Sequence, residues 1–209
     1  MSADEKTGIQ ALERTHPDIP MRPGKTCLRE YEYIRHGTLC LLAARDVGNG
    51  NIISQTIQQT RNEQDFLEFT QKTVATDPDK EWLFIADQLN THVSASLAQW
   101  VAKQTKYKGE IGVKGKQGIL KNMATRKAFL ENENNRIRFL YTPKHCSWLN
   151  QIEVWFSTLS SQVITHGDFK SKKDLEDQIR AYIDYYNKCM VKPYNWKYTG
   201  DNLCYVFKT

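Results

Sequence analysis

The sequence predicts an α/β fold: a mixed sheet covered by helices. Three observations carry this. A β-hairpin reads from "YEYIRHGTLCLLAARDVGNGNIISQTIQ", a short unbroken apolar run "EWLFIAD" stops at an acid, and two later amphipathic stretches have helical spacing. Antiparallel strands followed by strands that alternate with helices imply one sheet whose later strands are joined by helical crossovers.

The elements follow in order. After an opening segment, "HPDIPMRPG" reads as an irregular loop. The hairpin turns at Gly48-Asn49-Gly50, residue types that tolerate the positive φ of a tight turn. Asn62 is placed to cap a helix, with Glu63 and Asp65 in its first turn and Phe66, Leu67, Phe69, Thr73 and Val74 at helical spacing. "EWLFIAD" has the look of a strand covered on both faces. A helix should begin near Ser94 and run through Leu97, Trp100 and Val101. "RIRFLYT" is a further strand ended by Pro143, and "CSWLNQIEVWFS" then starts a helix with Ser147 as its cap. The last helix, "SKKDLEDQIRAYIDYYNK", carries Leu175, Ile179, Tyr182, Ile183 and Tyr186 on one side.

With 209 residues, 40% apolar and 25% charged, the chain fits a soluble globular protein with a substantial core. Five cysteines without a C-x-x-C pair read as a reducing compartment, not a disulfide framework or zinc knuckle. No apolar run approaches the roughly 20 residues of a membrane span, and "MSADEKTG" lacks the regions of a signal peptide. The expected location is the cytosol or nucleoid. The net charge of +5 is unevenly spread: residues 103 to 138 hold ten Lys/Arg against three Glu, a net of +7. Basic charge is thus concentrated where it could grip phosphates.

Three acids stand near the carboxyl ends of strands or one short loop beyond, where α/β proteins hold ligands. Asp87 ends "WLFIAD" and leads into the polar turn Gln88, Asn90, Thr91, His92. Glu153 follows "RIRFLYT". At about 100° per residue, Trp148, Leu149, Ile152, Trp155, Phe156, Leu159 and Val163 form a stripe roughly 120° wide, with Glu153 about 40° beyond its edge. That geometry leaves open a surface glutamate or a ligand. Asp4, Glu5 and Asp46 are equally eligible as a further acid, although Asp46 beside Gly48-Asn49-Gly50 reads as a turn residue. Converging carboxylates suit hard divalent ions and phosphoryl transfer. The five histidines show neither H-x-x-x-H nor H-E-x-x-H, which disfavours zinc.

"ADEKTGIQALER", "YEYIRHGT", "DQLNTH", "YTPKHCSWLNQIEVWFS" and "KPYNWKYTG" together resemble the DDE transposases of bacterial insertion sequences in the mariner superfamily. The resemblance runs nearly end to end. It implies an RNase H-like five-stranded mixed sheet flanked by helices, two Mg²⁺ or Mn²⁺ ions, and cut-and-paste DNA transposition. Under it, Asp4, Asp87 and Glu153 are the three catalytic and metal-holding acids, which selects Asp4 over Glu5 and Asp46. Gln88, Asn90, His92, Trp148 and Asn150 would support them, and Lys114, Lys116, Lys121, Arg126, Lys127, Lys144 and His145 would face DNA. The implied partners are the element's ends and target DNA, with a homodimer as the active form. Two departures shape the expectation. The family carries helix-turn-helix segments before the catalytic domain, whereas this chain begins three residues before Asp4. A truncated first strand and a missing or separately encoded DNA-binding part are therefore expected, within a single catalytic domain over residues 1–209. Asp87 and Glu153 are also unusually far apart, which implies a basic insertion at about residues 103–136. An inactive remnant that only binds DNA or a partner, and a stand-alone nuclease of the same fold, are the competing readings.

Overall fold

The computed structural model describes residues 1–143 and 146–195; Lys144, His145 and residues 196–209 lie outside it. The chain forms β1 (Ser2–Arg14), β2 (Tyr33–Arg45), β3 (Ile52–Gln58), α1 (Glu63–Val74), β4 (Trp82–Ala86), α2 (Ala95–Gln104), α3 (Met123–Leu130), β5 (Ile137–Tyr141), α4 (Gln151–Leu159) and α5 (Lys172–Cys189). The strands make one sheet in the order β3-β2-β1-β4-β5. β1 and β2, and β2 and β3, are antiparallel, while β1–β4 and β4–β5 are parallel. This is the mixed five-stranded, RNase H-like sheet expected.

The hairpin turn forms at the expected place. The Asp46 carboxylate accepts from the Gly48 N–H, and Gly50 N–H donates to the Asp46 carbonyl at 2.8 Å. Gly50 sits at φ +92°, and a Cβ there would lie 2.4 Å from the Lys192 carbonyl oxygen. Gly50→Ala should therefore cost about 1–3 kcal/mol through strain and overlap. Gly48→Ala, whose added Cβ would meet only the Asp46 carboxylate at 3.3 Å, should cost clearly less. Urea denaturation of the two variants checks this, and equal losses would refute it.

Helices cover both faces. Phe66, Phe69, Leu97, Val101, Phe129 and Leu130 of α1, α2 and α3 pack on Trp82, Phe84, Ile137 and Phe139. The ring centroids of Phe84 and Phe139 are 5.1 Å apart across β4 and β5. On the other face, Ile152, Trp155, Phe156, Ile179 and Ile183 of α4 and α5 pack on Leu39, Leu41 and Ile52. That second layer stops short of the β4–β5 half, where Leu83 is 37% and Leu140 52% exposed. The expectation that "EWLFIAD" is covered on both faces is thus corrected: β4 alternates buried and open positions.

Two further expectations need amending. β1 is not a short strand, since it runs for 13 residues along β2. Only its pairing with β4 is brief, through the Ser2–Ile85 register. The expected basic insertion is folded: Asn122 and Thr125 form a capping box that starts α3, and Leu120, Phe129 and Leu130 are buried. Gly112 and Gly118 permit a close backbone crossing within it, with a Cβ on Gly118 falling 2.7 Å from the Gly112 Cα. Cys27, Cys40, Cys146 and Cys189 are free thiols. No helix among the described residues is long and apolar enough to cross a membrane.

Candidate active site

The site begins where β1 and β4 run side by side. Ser2 is in register with Ile85, so Asp4 and Asp87 each follow two residues later on adjoining parallel strands. Alternation along β1 sends Ala3 and Glu5 toward α1 and α2, and Ser2 and Asp4 toward α4. The contacts agree: Ala3 lies in the core with Phe66 and Val93, while Ser2 and Asp4 meet Asn150.

Asp4 is buried. Its Oδ1 accepts the Glu5 N–H at 2.8 Å and its Oδ2 accepts Asn150 Nδ2–H at 3.1 Å. Burial pushes its carboxyl up to about 7, with the His92 charge opposing and the Asp87 charge adding to the rise. Asp87 is half-buried. Burial is the largest single influence and pushes its carboxyl up as well, but the hydrogen bond and charge of His92, the Leu89 N–H and the Arg61 charge together outweigh it and hold the group below its usual value. Two neighbouring carboxyls are thereby driven in opposite directions.

His92 closes the turn after β4. Its N–H donates to the Leu89 carbonyl at 2.9 Å, and Leu89 N–H donates to Asp87 Oδ1 at 3.0 Å. The imidazole is fully buried, with Nδ1 2.6 Å from Asp87 Oδ1 and Nε2 2.7 Å from Glu5 Oε2. Burial opposes its charge, yet the hydrogen bonds with Asp87 and Glu5 raise it to about 10. Asp4, Asp87 and His92 offer ligand atoms within 4.8 Å of one another.

Glu153 arrives on α4, whose start is built differently from the expectation. Ser147 is not the cap: Ser147–Leu149 is a separate 3₁₀ turn, and α4 begins at Gln151. The buried Asn150 precedes it but turns its amide to the Ala3 carbonyl and to Asp4, while Ser2 Oγ donates to Asn150 Oδ1. Ser2 Oγ in turn accepts the Ile152 N–H at 2.8 Å, so a β1 hydroxyl satisfies a backbone group left orphaned at the helix start. Trp148, expected on the buried stripe, sits in the 3₁₀ turn and is 49% exposed. Ile152, Trp155, Phe156 and Leu159 do form the stripe. Glu153 borders it in the first helical turn; burial raises its carboxyl, Lys6 opposes, and Asp87 and Glu5 add to the rise. Asp87 and Glu153 thus feel each other's charge, although Glu153 stands outside the tight Asp4–Asp87–His92 group.

The other expected residues divide. Gln88 Nε2 donates to the Thr142 carbonyl at 2.8 Å and ties the ends of β4 and β5 together. Asn90 is exposed, and nothing among the described residues links it to the carboxylates. Lys114, Lys116 and Lys121 are exposed. Arg126 is not free to face DNA with its Nε, which donates to the Val93 carbonyl at 2.8 Å and pins α3 to the loop before α2. Lys127 pairs with Glu131 at 3.7 Å. Lys144 and His145 lie outside the described residues. Glu5, weighed above only as a rival to Asp4, is a member of the cluster; its signal was the two adjacent acids, which a strand must send to opposite faces.

A family model described as DDE superfamily endonuclease matches residues 1–176. The chain belongs to that family. The resemblance to DDE transposases read from the motifs is borne out at this level. No curated protein sequence matches. Among solved structures, the Mos1 mariner paired end complex with Mn aligns with 90% of this chain at 13% identity and a TM-score of 0.34. This chain covers 53% of that one, so it spans about half the length of the solved relative.

Proposed function

We propose that this DDE superfamily member is the catalytic part of a mariner-type transposase, performing divalent-metal-dependent DNA cleavage and strand transfer in cut-and-paste transposition. The observation that carries the reading is the apposition of buried Asp4 and half-buried Asp87 at adjacent parallel strands, with the Asp4 carboxyl pushed up to about 7. Neighbouring carboxyls in a buried setting call for a compensating cation. Their oxygen donors fit Mg²⁺ or Mn²⁺, the hard ions that carboxylates bind.

Asp4, Asp87 and Glu153 would hold the ions, with Asn150 fixing Asp4 from the α4 side. Two such ions, once bound, would supply Lewis acidity to the attacking and leaving oxygens of a phosphodiester. Hydrolysis at the element's end frees a 3′-hydroxyl, which then attacks the target strand in line. Lys114, Lys116 and Lys121 lie exposed on the basic excursion and would hold the DNA backbone through charge. A homodimer would bring two element ends together.

The experiment is nicking of supercoiled plasmid by the chain in Mn²⁺, beside Glu153→Gln and an EDTA control. Losing one metal-holding carboxylate should slow nicking by about 10³-fold, the equivalent of several kcal/mol of transition-state stabilisation. Equal activity in wild type and variant would sink the assignment of Glu153. A wild type that binds plasmid without cutting it would instead favour a non-catalytic DNA-binding role. Cleavage without joining in a strand-transfer assay would favour a nuclease.

A further inference from the structure

The three-acid reading leaves Glu5 without a task, yet its side chain is only 5% exposed and sits in the middle of a charged chain. Arg61 Nη1 approaches Glu5 Oε1 at 3.2 Å, Glu5 Oε2 meets His92 Nε2 at 2.7 Å, and His92 Nδ1 meets Asp87 Oδ1 at 2.6 Å. The links join three separate pieces of chain: the segment before α1, strand β1, and the turn after β4. We propose that Glu5 and His92 are a positioning pair for Asp87, tethered from outside by Arg61, that presents the carboxylate of Asp87 to a divalent cation. This rests on the reading of Asp87 as a metal-holding residue.

The ring of His92 is placed for that task and not for metal binding itself. Ionised carboxylates only accept hydrogen bonds, so an imidazole lying between two of them donates from both nitrogens and keeps no lone pair for a metal. The ring cannot swing away. It is fully buried, its centroid lies 4.1 Å from that of Phe66, and the His92 carbonyl accepts the Tyr141 hydroxyl at 2.8 Å. Both hydrogen bonds to the Asp87 side chain, from His92 and from Leu89 N–H, fall on Oδ1. Oδ2 is left without a donor among the described residues, and its direction is set by the two bonds on Oδ1. A carboxylate ordered in this way binds a cation without first losing rotamer freedom, and partners that orient ligands are typically worth 10–100-fold in metal affinity.

The test uses the whole chain, with Mn²⁺ binding followed by the electron paramagnetic resonance of free Mn²⁺ and folding followed by circular dichroism. Glu5→Ala should weaken Mn²⁺ binding about tenfold or more. Glu5→Gln, which still accepts from Nε2, should lose less but still several-fold. Leu130→Ala, a buried change on α3, serves as the control: it should lower the melting temperature and leave Mn²⁺ affinity unchanged. Wild-type affinity in Glu5→Ala would overturn the proposal, as would an equal affinity loss in Leu130→Ala, since the effect would then follow stability alone. If Glu5→Ala does not fold, Glu5→Gln decides, and unchanged affinity there overturns it. DNA nicking is read separately on the same samples. A wild type that binds Mn²⁺, loses it with Glu5→Ala and nicks nothing would sink the transposase reading and leave the positioning pair standing. A wild type that binds no Mn²⁺ would overturn both.

Discussion

Asp4→Asn should make the metal-free chain more stable at pH 8 while abolishing the DNA cutting proposed for it. Burial raises the Asp4 carboxyl from 3.8 to about 7 in the folded chain. Between those values the folded state keeps a proton that the unfolded state has released, so this group's contribution to stability falls as pH rises through the window. Above pH 7 the folded chain carries the full cost of a buried carboxylate. A shift of this size corresponds to about 4 kcal/mol at 1.36 kcal/mol per unit, and because asparagine has one acceptor oxygen for the two donors Glu5 N–H and Asn150 Nδ2–H, the gain falls to about 1–3 kcal/mol. Urea denaturation in EDTA, with wild type and variant compared at each pH, cancels the contributions of groups that do not feel the Asp4 charge, which leaves Asp4 with its neighbours His92 and Asp87. The gain should shrink as pH falls and vanish below about pH 4. A variant less stable than wild type at pH 8 would refute the argument. Stability given up at a site that must hold charge is the expected trade of an active centre.

Trp155→Ala should cost about 3–5 kcal/mol, the largest stability loss expected of a single change on α4 and a large share of a typical domain's 5–15 kcal/mol. Trp155 is fully buried, with its ring centroid 5.6 Å from that of Phe156 and 6.0 Å from that of Tyr186. With Ile152 and Phe156 it packs α4 on the sheet, and it also meets α5 through Tyr186. Its indole Nε1 is buried without a hydrogen-bond partner among the described residues. Trp155→Phe therefore sacrifices volume but no hydrogen bond, and should cost less than half as much as alanine. Guanidinium denaturation of both variants measures the difference; equal losses would show that the site collapses around alanine. Because Glu153 rides two residues earlier on the same helix, Trp155→Ala should also loosen that carboxylate's placement.

Much of the fold was legible because local chemistry and tertiary packing agree. The Gly48-Asn49-Gly50 turn, the Asn62 cap of α1, the start of α2 near Ser94 and the apolar side of α5 all formed as read. Failures came where a local signal competed with a distant partner. Ser147 looked like a helix cap because it precedes an apolar stripe, but Asn150 is drawn to Asp4 and Ser2, and the helix starts three residues later than a Ser147 cap implies. Trp148 then falls outside the helix on which its position was reckoned. The basic insertion carries no predicted helix, yet Asn122 and Thr125 spell the capping box that starts α3; the dense lysines around it mask that short signal. Arg126 counted toward a DNA-facing patch by charge alone, whereas its Nε bonds a backbone carbonyl 33 residues away.

By itself, the sequence determined the class of fold, the two acids that meet at β1 and β4, and the family to which they belong. Those features rest on side-chain periodicity, turn chemistry and motif order, which are written in neighbouring residues. Tertiary structure alone decided what surrounds the acids. It put Asn150 against Asp4 and Ser2 at the head of α4, joined Glu5 to Asp87 through His92, and left the β4–β5 half of one face uncovered. The partners that tie β1 to these elements lie some 80 to 150 positions apart in the chain, as with His92 and Glu5 at 87 and Ser2 and Asn150 at 148, whereas His92 and Asp87 are 5 apart within one turn. No local pattern encodes the long-range ones; they exist because the fold brings buried polar groups together and burial demands that each find a partner.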